Sequence, residues 1–336
     1  MAEVSDSDFE WTIVGQGLAG TCLAWELWRR GVSFIIVDRE GGIAASRVAA
    51  GLVNPVTGKN FEPSPMIGEF LPQALDFYRS VEEKLGVVLW HPMPIMRLAG
   101  DESEWTKMRA KSTREDVVCW VDRELATEEI DGWVGGFELR GGGRFDVKAF
   151  VDRSRDFFKA QGMYREGEIT FDGLKSCVWC DGAVGLVSGR HGVARCAKGE
   201  ILTVRAKGWD ETRIRVGGGG WLVPLGDGCF KLGSTYEWDR LDMEPSEAGL
   251  ERLKQIAIKL GGADYQIIAH EVGVRPILRR SEPLIGPMDA DGWMFNGLGS
   301  KGSLYAPGMA RRLASWMLEG REPEEQFDVR VFRGSL

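Results

Sequence analysis

The residues with the clearest chemical use stand near the start of the chain. Gly15-Gln16-Gly17-Leu18-Ala19-Gly20 is a complete G-x-G-x-x-G. In a dinucleotide turn the first glycine permits the tight bend, the second lets a pyrophosphate approach the backbone, and the third lets helix and strand pack closely. Unpaired N–H groups and the dipole at the start of the following helix favour the anion. Asp38 follows Gly20 by 18 residues, where a carboxylate accepts hydrogen bonds from ribose hydroxyls. Its charge repels a 2′-phosphate, which favours FAD or NAD over NADP; the neighbouring Arg39, a further candidate contact, works weakly against that preference. A second run, Ala45-Ser46-Arg47-Val48-Ala49-Ala50-Gly51-Leu52, follows closely. Its small side chains leave backbone N–H groups open to a pyrophosphate or a flavin, so Ser46, Ala49, Ala50, Gly51 and Leu52 are expected in the cofactor site.

Near the C-terminus, Asn296-Gly297-Leu298-Gly299-Ser300-Lys301-Gly302-Ser303 joins an expected strand to an expected helix. It makes a second helix N-terminus preceded by bare backbone, with a cation beside it. Against a flavin, these N–H groups and Lys301 stabilise the negative charge that reduction places over N1 and the C2 carbonyl. Gly297, Gly299, Ser300, Lys301, Gly302 and Ser303 are therefore candidate cofactor contacts, and Lys301 is also a candidate catalytic residue. Val274-Arg275-Pro276 closes an extended run that begins near Ile267. The proline restricts Arg275 to extended geometry, and an arginine held there can clamp a carboxylate through two hydrogen bonds.

The elements that position these residues follow from the hydrophobic pattern. An apolar strand over 11–14, a helix over about 18–30 and a strand over 34–37 make one βαβ unit, whose short crossover implies parallel strands. Ala19, Cys22, Leu23 and Leu27 recur at helical spacing, and Gly31 supplies the stop. The alternation then breaks. A small-residue loop leads to a long amphipathic helix over about 66–85, with Phe70, Phe77, Tyr78, Val81 and Leu85 on one side. Strand-like stretches at 87–98, 117–121 and 133–139 surround a charged helix near 101–111. Asp146 is placed to cap a helix running to about 161. Strands near 163–169 and 177–180 return to the first sheet. Short strands fill 198–232 around a glycine turn at 217–220, and a helix spans about 246–260. A strand at 293–296 and a helix over about 302–318 complete the pattern.

With 336 residues and 43% hydrophobic content, the chain can form one large or two interleaved domains with a sizeable core. Its 45 glycines are about twice the usual ~7% share, in keeping with many tight turns. No apolar run approaches the ~18–20 residues that span a bilayer. The acidic start, MAEVSDSDFE, lacks a secretory pattern, so a cytoplasmic location is expected. The net charge of −8 argues against nucleic-acid binding, which needs clustered Lys and Arg. The six cysteines are scattered, as in a reduced protein. Cys177-Val178-Trp179-Cys180 is formally a C-x-x-C, but it reads as strand interior, where residues three apart point to opposite faces. Buried structural cysteines are expected there. The three histidines lie far apart in sequence, and no metal site is expected.

In combination these segments resemble the D-amino acid oxidase and glycine oxidase superfamily of FAD-dependent oxidoreductases. The resemblance spans most of the chain and concentrates at Gly15–Gly20, Asp38, 46–55, Arg275-Pro276 with Pro283-Leu284-Ile285-Gly286, and 297–307. It implies an α/β fold: a Rossmann-like FAD-binding domain over 1–62, 145–195 and 268–336, interleaved with an α+β substrate domain on a mixed sheet over 63–144 and 196–267. It also implies that Arg275 binds a substrate carboxylate. Ile169 and Cys180–Gly182, with Gly182 a contact, would lie near adenine and ribose, and 299–303 would meet the flavin ring. Lys198-Gly199-Glu200 and Gly233-Ser234-Thr235-Tyr236 look like substrate-domain segments, which makes Tyr236 a pocket candidate. No cysteine follows Cys229. The C-terminal thiol that tethers flavin in sarcosine-oxidase relatives thus has no counterpart, and non-covalent FAD is expected. The stretch 51–58 is also similar to the oxidase half of the bifunctional enzyme that trims carboxymethylaminomethyl groups on tRNA uridine.

The activity implied is oxidation of the C–N bond of a small amine or amino acid, by hydride transfer to flavin N5 and hydrolysis of the imine. Oxygen or another acceptor then takes the electrons. Three alternatives stay open: a flavin-dependent dehydrogenase of a 2-hydroxy acid, a catalytically silent flavin-binding protein and, more distantly, an NAD-only dehydrogenase.

Overall fold

Strand Trp11–Val14 buries Thr12 and Ile13, and Gly15 turns out of it at φ 95°, a conformation that L side chains rarely adopt. The chain passes at once into an opening helix, Leu18–Arg29, buried from Leu18 through Leu27. A helix buried all round must lie inside the molecule, and this one has the sheet on one side and the closing helix, Gly302–Glu319, on the other. The return strand, Phe34–Asp38, pairs parallel with Trp11–Val14, placing Ile36 beside Ile13. The computed structural model describes residues 9–39, 45–167, 176–189, 195–278, 282–288 and 292–332.

The sheet grown on this unit has six strands in the order Tyr164–Glu166, Phe34–Asp38, Trp11–Val14, Cys177–Trp179, Gly292–Asn296 and Leu284–Met288. All neighbours are parallel except the last pair. The helix Val147–Ala160 starts at Asp146, whose carboxylate accepts from Ala149 N at 3.0 Å. Another helix, Ile67–Leu85, lays Phe70, Phe77, Tyr78 and Val81 into the same core. The Tyr78 ring stacks on Phe145 with centroids 3.6 Å apart.

The second sheet has eight strands, ordered Gln266–Arg275, Ala197–Arg205, Cys229–Gly233, Gly220–Gly226, Ile214–Gly217, Ile95–Ala99, Gly135–Leu139 and Val121–Glu124. Only the pairing of Ile214–Gly217 with Ile95–Ala99 is parallel, so the sheet is mixed. Helix Glu247–Leu260 covers one face with Leu253, Ile256, Ala257 and Leu260. A three-stranded sheet of Leu52–Val53, Gly143–Phe145 and Trp90–Pro92 joins the layers: Val53 and Phe145 belong to the first core, while Leu52 packs against the second sheet. The architecture is α/β, with a Rossmann-like unit beside an α+β unit on a mixed sheet. Among the described residues no helix is long and apolar enough to cross a membrane.

Some local expectations change. The stretch 87–98 divides into Trp90–Pro92 and Ile95–Ala99, since Pro94 has no N–H for a ladder. The stretch 117–121 is no single strand: Glu115–Val118 is a helical turn, preceded by an Arg114–Asp116 ion pair, and the strand starts at Val121. Strand Gln266–Arg275 lies wholly in the eight-stranded sheet, so a domain boundary at 268 would cut it. Helix Ile67–Leu85 shares its core with the opening and closing helices, which puts it on the nucleotide side of a boundary drawn at 63.

Candidate active site

The turn at Gly15 holds the opening helix hard against its surroundings. A Cβ on Gly15 would lie 2.7 Å from the Cys180 carbonyl oxygen, and one on Gly20 would lie 2.0 Å from that of Gly15. The closing helix starts at Gly302, where an added Cβ would sit 3.0 Å from Leu18 Cδ2. The two helices therefore begin side by side, and their first residues line one cavity of about 1570 Å³. Leu18 N donates to Ser46 Oγ at 3.0 Å, which seats the segment after Asp38 over the first helix end. Lys231 Nζ donates to Val48 O at 2.6 Å and fixes the same segment to the eight-stranded sheet.

Of the residues singled out by sequence, Gly15, Gly17, Leu18, Ala19, Asp38, Arg39, Ser46, Ala49, Ala50, Gly51, Leu52, Gly182, Tyr236, Arg275, Gly299, Ser300, Lys301, Gly302 and Ser303 line this cavity. Gln16, Gly20 and Gly297 stand behind it. Gln16 is 1% exposed, donates to Val151 O at 3.2 Å and accepts from Arg155 Nε at 2.6 Å. Gly20 packs helix on strand, and Gly297 packs against Leu278. Ile169 lies outside the described residues. Arg155 carried no sequence signal, yet its Nη2 donates to Asp38 Oδ2 at 2.9 Å while its Nε holds Gln16. It thus orients the acid at the end of the second strand. Asn296 was likewise unmarked as a tie: its Nδ2 donates to Asp181 Oδ1 at 3.1 Å and to Gly182 O at 3.0 Å, joining two strand ends.

At the other side of the cavity, Arg275 ends its strand with the guanidinium set among neutral groups. Nη2 donates to Ser234 Oγ at 2.8 Å, Nη1 donates to Thr235 O at 3.3 Å, and the group lies 4.1 Å from the centroid of the Tyr236 ring. Gly199 makes the space, since a Cβ there would lie 2.1 Å from Arg275 Nη2. Among the described residues no carboxylate pairs with this cation. Burial lowers its pKa, partly opposed by Tyr236. Gly299 N donates to Pro276 O at 3.0 Å, which fastens the exit of this strand to the turn before the closing helix. Lys301, half-buried on that turn, has no ion-pair partner among the described residues, and burial holds its ammonium pKa below the ordinary lysine value. The Tyr78 hydroxyl donates to Ser303 O at 2.8 Å, bracing the turn from behind.

The family profile described as FAD dependent oxidoreductase matches residues 10–316. The chain belongs to this family. This FAD-dependent oxidoreductase is 25% identical to a glycine oxidase of Pseudomonas aeruginosa, over 93% of its own length and 95% of that relative. It is 24% identical to the bifunctional tRNA 5-methylaminomethyl-2-thiouridine biosynthesis protein of Burkholderia pseudomallei over 82% of its length, and there it spans 48%, about half, of the relative. Its fold matches the crystal structure of glycine oxidase from Geobacillus kaustophilus with a TM-score of 0.81, covering 96% of this chain and 98% of that one at 19% identity.

The cradle fits FAD by its own chemistry. Two helix N-termini present N–H groups to one cavity, which suits a pyrophosphate at one and an electron-rich ring edge at the other. A Cβ at Gly15 would close the first turn. The single cysteine among the described lining residues, Cys180, lies beside Gly15 with its thiol pushed up by burial, so it offers no thiolate to the flavin end of the FAD-dependent oxidoreductase.

Proposed function

We propose that this enzyme oxidises the C–N bond of a small amine or amino acid that bears a carboxylate. The observation that carries this reading is Arg275, a half-buried guanidinium presented to the cavity by neutral partners only among the described residues. Such a group takes its counter-charge from a ligand, and a carboxylate suits its planar fork. Gly15, Gly17, Leu18 and Ala19 would hold the pyrophosphate of FAD, and Asp38, fixed by Arg155, the ribose. Segments 46–52 and 299–303 would hold the flavin, without a covalent link. When bound, FAD supplies the acceptor for the two electrons removed from the substrate carbon. The protein's own part is to seat the carboxylate on Arg275, enclose the amine beneath Tyr236 and keep a positive charge at Lys301. Oxygen is the proposed final acceptor, because Lys301 places a half-buried cation where its reduced, anionic forms would arise. The two sheets supply the division of labour, nucleotide on the six-stranded side and substrate on the eight-stranded side.

The lining also favours an amine over a 2-hydroxy acid. Among the described lining residues there is no histidine, and each of the four carboxylates is engaged: Asp38 by Arg155, Asp101 by Glu104 N, Glu104 by Arg97, and Asp181 by Asn296. A neutral amine needs no strong base, whereas a hydroxyl proton does. The test is a visible absorption spectrum of the purified protein followed by anaerobic addition of amines, amino acids and 2-hydroxy acids. Bleaching by an amine carboxylate, with colour and peroxide returning in air, is expected. Bleaching by hydroxy acids alone would overturn the reading, and a yellow protein that nothing bleaches would mark a silent flavin carrier.

A further inference from the structure

We infer that the substrate carries a second anionic group, a phosphate or carboxylate on a small molecule, well separated from the carboxylate on Arg275. This rests on the reading that Arg275 holds a carboxylate. The cavity does not end at Arg275. It continues along the end of the eight-stranded sheet to the glycine turn at 217–220 and the start of helix Glu102–Ser112. From the strand of Arg275 to the strand that begins at Gly220 is a step of three strands in the sheet order, roughly 14 Å at the usual spacing.

At this far end Lys59, Lys107, Arg252 and Lys259 line the cavity. All four are exposed, and among the described residues none has an ion-pair or hydrogen-bond partner. Nearby exposed or half-buried cations behave otherwise: Lys111 and Arg114 both pair with Glu62, and Arg123 and Arg213 with Glu129. The carboxylates at this end are already engaged, Glu104 with Arg97 at 2.7 Å and Gly100 N at 2.9 Å, and Asp101 with Glu104 N at 2.8 Å. The bare turn lets two of the cations lie across it. A Cβ on Gly219 would approach Arg252 Nη2 to 3.2 Å, and one on Gly218 would approach Lys259 Cδ to 3.6 Å. Over the whole lining there are eight cationic side chains against four carboxylates, in a chain whose net charge is −8. Free cations gathered at the mouth of one cleft focus anions into it, while the acidic balance of the remaining surface disfavours a long polyanion. A small ligand with anions at both ends matches that distribution.

The test compares N-(6-phosphonohexyl)glycine with N-heptylglycine on the FAD-loaded protein, reading anaerobic perturbation of the visible spectrum. The phosphonate should bind about tenfold tighter at low salt, as a few exposed ion pairs allow, and lose that advantage in 0.5 M NaCl. The double variant Arg252→Ala/Lys259→Ala should lose it too, with N-heptylglycine unaffected. Equal binding of the two ligands, or a preference that survives the double variant, overturns the inference. If neither ligand perturbs the spectrum, the amine-carboxylate reading fails, and calorimetry with tripolyphosphate decides the anion site by itself. Heat on the native protein and none on the variant supports the site; no heat on either removes it. Bulk tRNA binding more tightly than tripolyphosphate, and lost in the same variant, would replace the small ligand with RNA.

Discussion

Arg275 and Lys301 are both withdrawn from water without a carboxylate partner among the described residues, and burial acts differently on each. Arginine keeps its charge at any accessible pH, so Arg275 would be a permanent anchor for the proposed carboxylate. Arg275→Ala should weaken carboxylate ligands by about 2–5 kcal/mol, read as the change in Kd in a spectral titration with FAD retained. Unchanged affinity would take Arg275 out of the site. Lys301 titrates, and burial sets its pKa below the ordinary lysine value. Its charge is therefore present at neutral pH and lost as pH rises through that lowered pKa. The rate of flavin reduction or reoxidation should fall on an alkaline limb earlier than an exposed lysine would give, and Lys301→Ala should erase that limb. A limb that persists belongs to another group. Both residues were legible in the sequence because a proline or a glycine turn beside each one announces a fixed backbone. Arg155 was not, since its partners Asp38 and Gln16 lie more than a hundred positions away and nothing in its own helix marks it.

The opening strand–turn–helix shows what local pattern can and cannot specify. Its periods change sharply from two to 3.6 across a glycine motif, and every element of it stands where the pattern puts it. Strand Leu284–Met288, which the hydrophobic pattern did not mark, carries Gly286 and Pro287. It is a strand because it lies at the edge of its sheet, where a missing N–H leaves no interior ladder broken. Packing at Gly20 is an element-scale property as well. Gly20→Ala would press a Cβ to 2.0 Å from a backbone oxygen and should cost about 3 kcal/mol or more, with loss of FAD on gel filtration. Gly68 is the counter-case, exposed in the first turn of Ile67–Leu85 with nothing near a new Cβ. Gly68→Ala should raise stability by about 0.5–1 kcal/mol, seen as a higher denaturant midpoint with an unchanged spectrum. Equal effects at the two positions would contradict the contacts described.

At the scale of the molecule, the cavity has one wall from each sheet, and the segments that meet there come from both ends and the middle of the chain. Their chain order was visible as motifs. The partition between sheets was not, because the helix at 67–85 and the strand at 266–275 join their sheets through long-range burial and pairing that no local period encodes. A ligand held by both walls should stabilise them together: free FAD at a hundred times its Kd adds about 2.7 kcal/mol, and thermal unfolding should remain a single transition that moves upward with FAD. Two transitions, only one of them FAD-dependent, would separate the walls. One hydrogen bond, from Gly299 N to Pro276 O, ties the strand of Arg275, proposed to bind the acid, to the turn proposed to cradle the redox ring. The expected consequence is that occupancy at one end shifts the midpoint potential at the other. By thermodynamic reciprocity, reducing the protein changes its grip on an acid by the same factor. Spectroelectrochemical titration with and without benzoate reads that coupling directly, and coincident curves would mean the tether transmits nothing.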